Sequence, residues 1–206
     1  MGVQKFAIGL SLILSFFAAG GAHAEVVAPD DMIKNTANEV LEILKSDADI
    51  EHGNINKLGK IVEDKIATKF DFNRMSRIVL GHNWNNATRE QQDQFVVEFR
   101  SLLIRTYTSA LSKYRNQTLA YKPSHEQPGD SEVTIKTQII QQGGPAITLD
   151  YSLEKIEDGW KVYDVTIEGL SLVVTYRGQF AEEVSQNGMD SLIHKLAEKN
   201  KRSLAS

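Results

Sequence analysis

Hydrophobic residues recur with the period of a helix through the first half of the chain and with the period of a strand through much of the second. Pro29 and Asp30 open a segment in which Ile33, Ala37, Val40, Leu41 and Leu44 fall on one helical face, and Gly53 ends the helical stretch after it. Ile55, Leu58, Ile61, Val62 and Ile66 continue the helical spacing from Asn54, and Phe72, Met75, Ile78, Val79 and Leu80 crowd a shorter helix closed by Gly81. The longest helix starts after Thr88. Thr88-Arg89-Glu90-Gln91 has the form of a capping box, whose side chains satisfy amides left free in the first turn. Phe95, Phe99, Leu102, Leu103, Thr106, Ala110, Leu111 and Tyr114 then mark an apolar stripe about seven turns long, the expected spine of the fold.

After Tyr114 the period changes. Residues 118–121, 133–140, 146–156 and 160–169 alternate or are β-branched, and the breakers Pro123, Pro128-Gly129, Gly143-Gly144-Pro145 and Asp158-Gly159 separate them. This predicts about four antiparallel strands. Val133, Ile135, Thr137 and Ile139 share one face, as do Ile147, Leu149, Tyr151 and Leu153. The last strand carries apolar groups at both parities, Val162 at one and Val165 and Ile167 at the other, so it is expected to be covered on both faces. A helix from Ser171, with Leu172, Val173, Tyr176, Phe180 and Val184 aligned, ends near Gly188, and another runs from Asp190 through Leu192, Ile193 and Leu196. Helices before and after an antiparallel sheet predict an α+β fold.

The first residues have a different character. Lys5 precedes an apolar run over 6–19 whose polar members are Ser11 and Ser15, and Ala22-His23-Ala24 supplies an A-x-A cleavage site. The run is shorter than the roughly 20 residues that cross a bilayer. Residues 1–24 therefore read as a secretory signal peptide, with a mature exported protein starting near Glu25. One domain is expected over 25–206: helices to about 115, sheet over 118–169, closing helices over 171–199.

Charge and composition narrow the chemistry. In 206 residues, 23 Lys and Arg stand against 27 Asp and Glu, a net charge of −4, which argues against nucleic acid as a partner. The absence of cysteine excludes disulfides, thiolate metal sites and cysteine nucleophiles. No nucleophile elbow, zinc-helix motif, phosphate loop or dinucleotide fingerprint occurs. His52, His82, His125 and His194 lie in four separate segments without ligand spacing, so no metal site is expected.

Asp164, inside the half-buried run WKVYDVTIEG, is the most notable ionisable residue. It reads either as a general base facing a cone-shaped pocket or, the reading favoured here, as a carboxylate bonded to backbone amides or an arginine at a strand end. Tyr163 and Glu168 are weighed the same way. Among Arg74, Arg77, Arg100, Arg105, Arg115 and Arg177, solvated faces or internal ion pairs are expected, with Arg177 the best candidate to meet a phosphate because it follows Tyr176 on an otherwise apolar helix.

Three stretches together carry a resemblance: LGHNWNNATREQQDQFVVEFRSLLIRTYTSAL (80–111), WKVYDVTIEGLSLVVTYRGQF (160–180) and NGMDSLIHKL (187–196). In this order, behind a signal peptide, they resemble the MlaC family of periplasmic phospholipid-shuttle proteins, also called toluene-tolerance proteins. The resemblance implies a nuclear-transport-factor-like curved sheet with added helices, and acyl tails held between them. It implies a monomeric carrier with no cofactor, bound phospholipid as cargo, and two partners: an outer-membrane lipoprotein–porin complex (MlaA-like) and an inner-membrane MCE-domain transporter (MlaD-like).

The family supplies no short site motif, so lining residues are inferred from the apolar faces. From the helices these are Phe72, Met75, Val79, Phe95, Phe99, Leu103 and Tyr107. From the sheet they are Val133, Ile135, Ile139, Leu149, Tyr151, Val165 and Ile167, and from the closing helix Leu172, Tyr176 and Phe180, with Arg177 and Ser171 at a head-group rim. A pocket near or above roughly 1,000 Å³ is expected. Two rivals use the same residues differently: a small isomerase or dehydratase with Asp164 as base, and an adaptor or chaperone whose apolar patches bind protein.

Overall fold

A computed structural model describes residues 27–113, 117–123, 127, 129–141 and 143–202. The predicted leader and its cleavage site, Glu25, Tyr114, Arg115, His125 and Pro128 lie outside the described residues. Helix α1 (Pro29–Ser46) begins on its proline, with Asp30 and Asp31 in the first turn where the helix dipole favours negative charge. Short helices α2 (Ala48–Glu51) and α3 (Ile55–Ile61) come next, capped by the side chains of Asp47 and Asn54.

The helical spacing from Ile55 to Ile66 does not yield one regular helix. Past Ile61 the backbone widens into a π turn (Val62–Ile66) and then tightens into a 3-10 turn (Ala67–Lys69) before the bridge from Phe70 to Val162. The Asp71 amide donates to the Val162 carbonyl at 2.9 Å, and the Asp71 side chain caps α4 (Phe72–Leu80) by accepting from the Arg74 amide at 2.8 Å. A short α5 (His82–Asn86) leads to α6 (Arg89–Leu111). Its capping box forms as the sequence predicts: the Gln91 amide donates to Thr88 Oγ1 at 3.2 Å, and the Thr88 amide to Gln91 Oε1 at 3.0 Å.

Among the described residues, five antiparallel strands come after it in sequential order: β1 (Thr118–Tyr121), β2 (Glu132–Ile140), β3 (Ile147–Ile156), β4 (Gly159–Ile167) and the two-residue β5 (Leu170–Ser171), one more than predicted. Val133 pairs with Leu153, Ile135 with Tyr151, Thr137 with Leu149 and Ile139 with Ile147, so the predicted faces coincide across the β2–β3 ladder. The odd parity of β4 has a local cause. Leu153 pairs with Val162 but Ser152 with Asp164, leaving Tyr163 as an extra residue in a bulge. Val162, Val165 and Ile167 therefore all share the face of Leu153, Tyr151 and Leu149. Asp164 points the other way and is buried at the start of α7 (Leu172–Asn187), which leads into α8 (Met189–Arg202).

Two apolar clusters hold these layers together. One joins α4, α6, α7 and α8 around Val79, Phe95, Phe99, Leu102, Phe180 and Leu196. Phe95 stacks on Phe99 at 5.5 Å, and Phe180 meets both edge-on at 5.7 Å, arrangements that the ring quadrupoles favour. The other sets Ile33 of α1 against Val133, Ile135, Leu153 and Val162 on the concave sheet face.

Candidate site: two apolar pockets on the concave face

The sheet curves, so the clusters do not close over its whole concave face, and two pockets of about 200 Å³ each remain against it. The first lies under α4 and α6. Phe72 and Met75 from α4, Leu103, Ile104 and Tyr107 from α6, and Leu149, Tyr151, Val165 and Ile167 from the sheet line it, with Leu172 at the start of α7. The second lies under α1, between Ile33, Thr36, Ala37, Val40 and Leu41 on one side and Leu119, Ile139, Leu149, Tyr151 and Val162 on the other. Ile66, Phe70, Leu149 and Tyr151 belong to both linings and form a shared wall.

Of the residues inferred from sequence, Phe72, Met75, Leu103, Tyr107, Ile139, Leu149, Tyr151, Val165, Ile167 and Leu172 face a pocket. Val79, Phe95, Phe99, Tyr176 and Phe180 pack in the helical cluster, and Val133 and Ile135 in the sheet cluster, and none of the seven lines either pocket. Their shared physical reason is that another element meets them face to face. The space is also divided, and each part is smaller than the volume expected from the sequence, with Ile66, Phe70, Leu149 and Tyr151 on the wall between the parts. The α1 stripe, Ile66 and Phe70 are lining residues that the sequence inference misses. A signal for them exists, since Ile33, Ala37, Val40 and Leu41 keep helical spacing, but the same spacing describes solid core.

The two inferred rim residues do not meet. Ser171 caps α7 by accepting from the Val174 amide at 3.2 Å, and its hydroxyl donates to Asp164 Oδ2 at 2.6 Å. Arg177 packs against the α4–α5 junction, where Gly81 has φ +55 and a Cβ built on it would stand 3.1 Å from the Arg177 guanidinium. Asp164 Oδ1 accepts from the Val173 amide at 3.1 Å and from the Val165 amide at 2.8 Å. Its carboxylate is thus a tie between β4 and the first turn of α7, the arrangement favoured from the sequence. Glu168 has a comparable role: at φ 50, in a two-residue turn with Gly169, it donates its amide to the Thr148 carbonyl at 3.0 Å and accepts from Thr148 Oγ1 at 3.0 Å.

The phenols near the first pocket are partly shielded from water, Tyr107 being 36% exposed. Burial, with the nearby Tyr176 and Asp164, pushes the Tyr107 hydroxyl up to about 12, and burial likewise raises Tyr176. No group of three or more His, Cys, Asp or Glu that could hold a metal ion exists among the described residues.

Arg74 locks the α4 wall to the sheet. Its guanidinium lies 3.7 Å over the Tyr163 ring and pairs with Glu154 and, at 2.5 Å, with Glu132, which also accepts from the Tyr163 hydroxyl at 3.2 Å. The bond from Arg74 holds the Glu132 carboxyl below the usual carboxylate range, and Lys195 and Lys57 do the same for Glu183 and Asp47. A carboxyl whose pKa is lowered on folding stabilises the fold above its ordinary pKa, and that contribution is lost as pH falls through the lowered value. Thermal melts should therefore fall in temperature between about pH 5 and pH 3. Arg74→Ala should melt lower at neutral pH and show a shallower acid decline, and an unchanged acid slope would count against this lock.

A family model described as MlaC protein matches residues 34–198. Among curated relatives, the toluene tolerance protein ttg2D of Pseudomonas putida is 26% identical over 183 residues, 88% of this chain and 84% of that protein. The intermembrane phospholipid transport system binding protein MlaC of Haemophilus influenzae is 23% identical over 197 residues, 94% of this chain and 92% of that protein. Among solved structures, the phospholipid-binding protein from Ralstonia solanacearum, determined in complex with a phospholipid, is 40% identical with a TM-score of 0.80, over 86% of this chain and 99% of that one.

Proposed function

The chain belongs to the MlaC family, and on that premise we propose that it is an exported, periplasmic carrier that buries the acyl chains of a phospholipid in the two pockets of the concave sheet face. The observation that carries this reading is the pair of apolar compartments meeting at one wall. Two acyl chains hold roughly 30 methylenes, and at about 0.8 kcal/mol each their exposure to water costs on the order of 25 kcal/mol. Such a lipid does not cross an aqueous space unaided. A lining of leucine, isoleucine, valine and aromatic side chains replaces the bilayer and discriminates little among tails of similar length.

Entry and release of the tails call for walls that can part. The irregular turn at 62–69 and helices α1 and α4 are the walls with room to move, since α1 meets the rest through one stripe and a Lys65–Glu39 pair at 2.5 Å. The lipid is handed between an outer-membrane lipoprotein–porin complex and an inner-membrane MCE-domain transporter, and direction follows from the partners' differing affinities for it. A net charge of −4 disfavours adsorption to anionic membranes and leaves delivery to docking.

The enzyme alternative assigns a proton-transfer role to a carboxylate that already accepts from two amides and a hydroxyl. The adaptor alternative needs a broad exposed apolar face, whereas the exposed large hydrophobics are spread over the entry to α1 (Val27), α3 (Ile55), α6 (Val97, Tyr107), β2 (Ile140) and the β5–α7 junction (Leu170, Val174). Native mass spectrometry of protein purified from membrane-containing cells, followed by solvent extraction, tests the carrier reading. Co-purifying phospholipid is the expected result, and the bare protein mass from repeated preparations would overturn it.

A further inference from the structure

The shared wall of the two pockets is not wholly apolar. Tyr151 lies opposite Ile135, and Tyr121 opposite Thr137, so by strand parity both phenols stand on the concave face, diagonally across β2. The Tyr121 hydroxyl is buried without a hydrogen-bond partner among the described residues. Tyr151, half-buried, lines both pockets, and its phenol is close enough to Tyr121 for the two to interact electrostatically. Burial raises both phenols, Tyr151 the more strongly. A buried hydroxyl without a partner is costly, and phenylalanine would fill the same space without that cost. Tyr151 opens on both compartments with Tyr121 diagonally across β2 from it, and a phenol without a partner among the described residues, in a lining that is mostly hydrocarbon, is a place where an oxygen can be received.

We propose that Tyr151 forms a hydrogen-bonding subsite for an oxygen atom of the bound acyl lipid, with Tyr121 behind it. The inference rests on the carrier reading and adds to it a preference for oxygenated cargo at this point of the cavity. Tyr151 borders both compartments, and the part of a two-tailed lipid that adjoins both tails is the diester branch point, whose carbonyl oxygens accept from a phenol. A hydroxyl along one chain offers the same chemistry from a second source.

Three phosphatidylethanolamines distinguish the sources: a dipalmitoyl diester, its dialkyl ether analogue without ester carbonyls, and a diester with one hydroxyl within a chain. Delipidated full-length carrier is offered equal parts of the three in mixed vesicles, and the loaded masses are counted. A preference of roughly fivefold for the plain diester over the diether, the worth of one neutral hydrogen bond, that falls to parity in Tyr151→Phe assigns the subsite to the ester carbonyl. A similar preference for the hydroxylated lipid over the plain diester, lost in the same variant, assigns it to a chain hydroxyl. Tyr151→Phe removes a hydroxyl without a hydrogen bond among the described residues, so its melting temperature should not fall, which separates loss of preference from loss of fold. Equal loading of all three by the unaltered protein, or a preference that survives Tyr151→Phe, overturns the subsite while leaving the carrier reading standing. Loading of none of the three removes the carrier reading and the subsite with it.

Discussion

Leu149→Trp is expected to leave a folded protein that holds phospholipid on the order of a hundredfold more weakly. Leu149 belongs to the linings of both pockets, between Thr137 on β2 and Ile167 on β4. An indole there extends into open space instead of into a neighbouring side chain, so the usual strain of overpacking is small. The bond that Thr137 Oγ1 donates at 2.6 Å goes to the Leu149 backbone carbonyl and survives the change. The larger ring displaces a few methylenes of cargo, and four of them at about 0.8 kcal/mol each amount to about 3 kcal/mol. Leu149→Ala is the counterpart. It widens both pockets, should load at least as well, and should destabilise less than Leu153→Ala, because Leu153 is fully buried in solid core, where such truncations cost about 2–5 kcal/mol. Lipid-to-protein ratios from native mass spectrometry, with melts to verify folding, check all three. Full loading by a folded Leu149→Trp would mean that the tails lie elsewhere.

The contrast between Leu149 and Leu153 also marks how far the sequence is legible. Both sit on the same strand at the same parity, and alternation assigns both correctly to the concave face. Whether that face meets other side chains or open space depends on how strongly the sheet curves and where the helices cross it, and no pattern along one segment encodes either. Periodicity alone therefore draws Phe95 and Phe99 into the pocket although α7 and α8 cover them, and it leaves out Ile66 and Phe70. Local signals serve better. The capping box at Thr88, the proline start of α1 and the turn before Trp160 each involve a few neighbouring residues, and each appears where the sequence places it. The bulge at Tyr163 lies between these cases: the change of parity along β4 is visible in the sequence, but reading it as an extra residue requires knowing that Ser152 and Leu153 are its partners.

Asp164→Ala is expected to cost about 3 kcal/mol and lower the melting temperature by about 10 °C. The carboxylate is 8% exposed. It accepts from the Val165 and Val173 amides and from the Ser171 hydroxyl. Hydrogen bonds to a charged acceptor contribute about 1.5–3 kcal/mol each, and removing the acceptor also leaves the buried Val173 donor unpaired. That loss falls on the first turn of α7, which carries Leu172 into the first pocket, so lipid loading should weaken along with the fold. Asp164→Asn keeps one oxygen for the amides, and Ser171 can turn its hydroxyl to accept from the new amide, so it should melt close to the unaltered protein and load lipid normally. The pair of variants separates the carrier from its enzymatic rival. A general base loses its function as Asn even when the fold is intact, whereas a structural tie loses it in proportion to the melting temperature. A folded Asp164→Asn protein that can no longer load lipid would require a role for this carboxylate beyond holding α7 to β4.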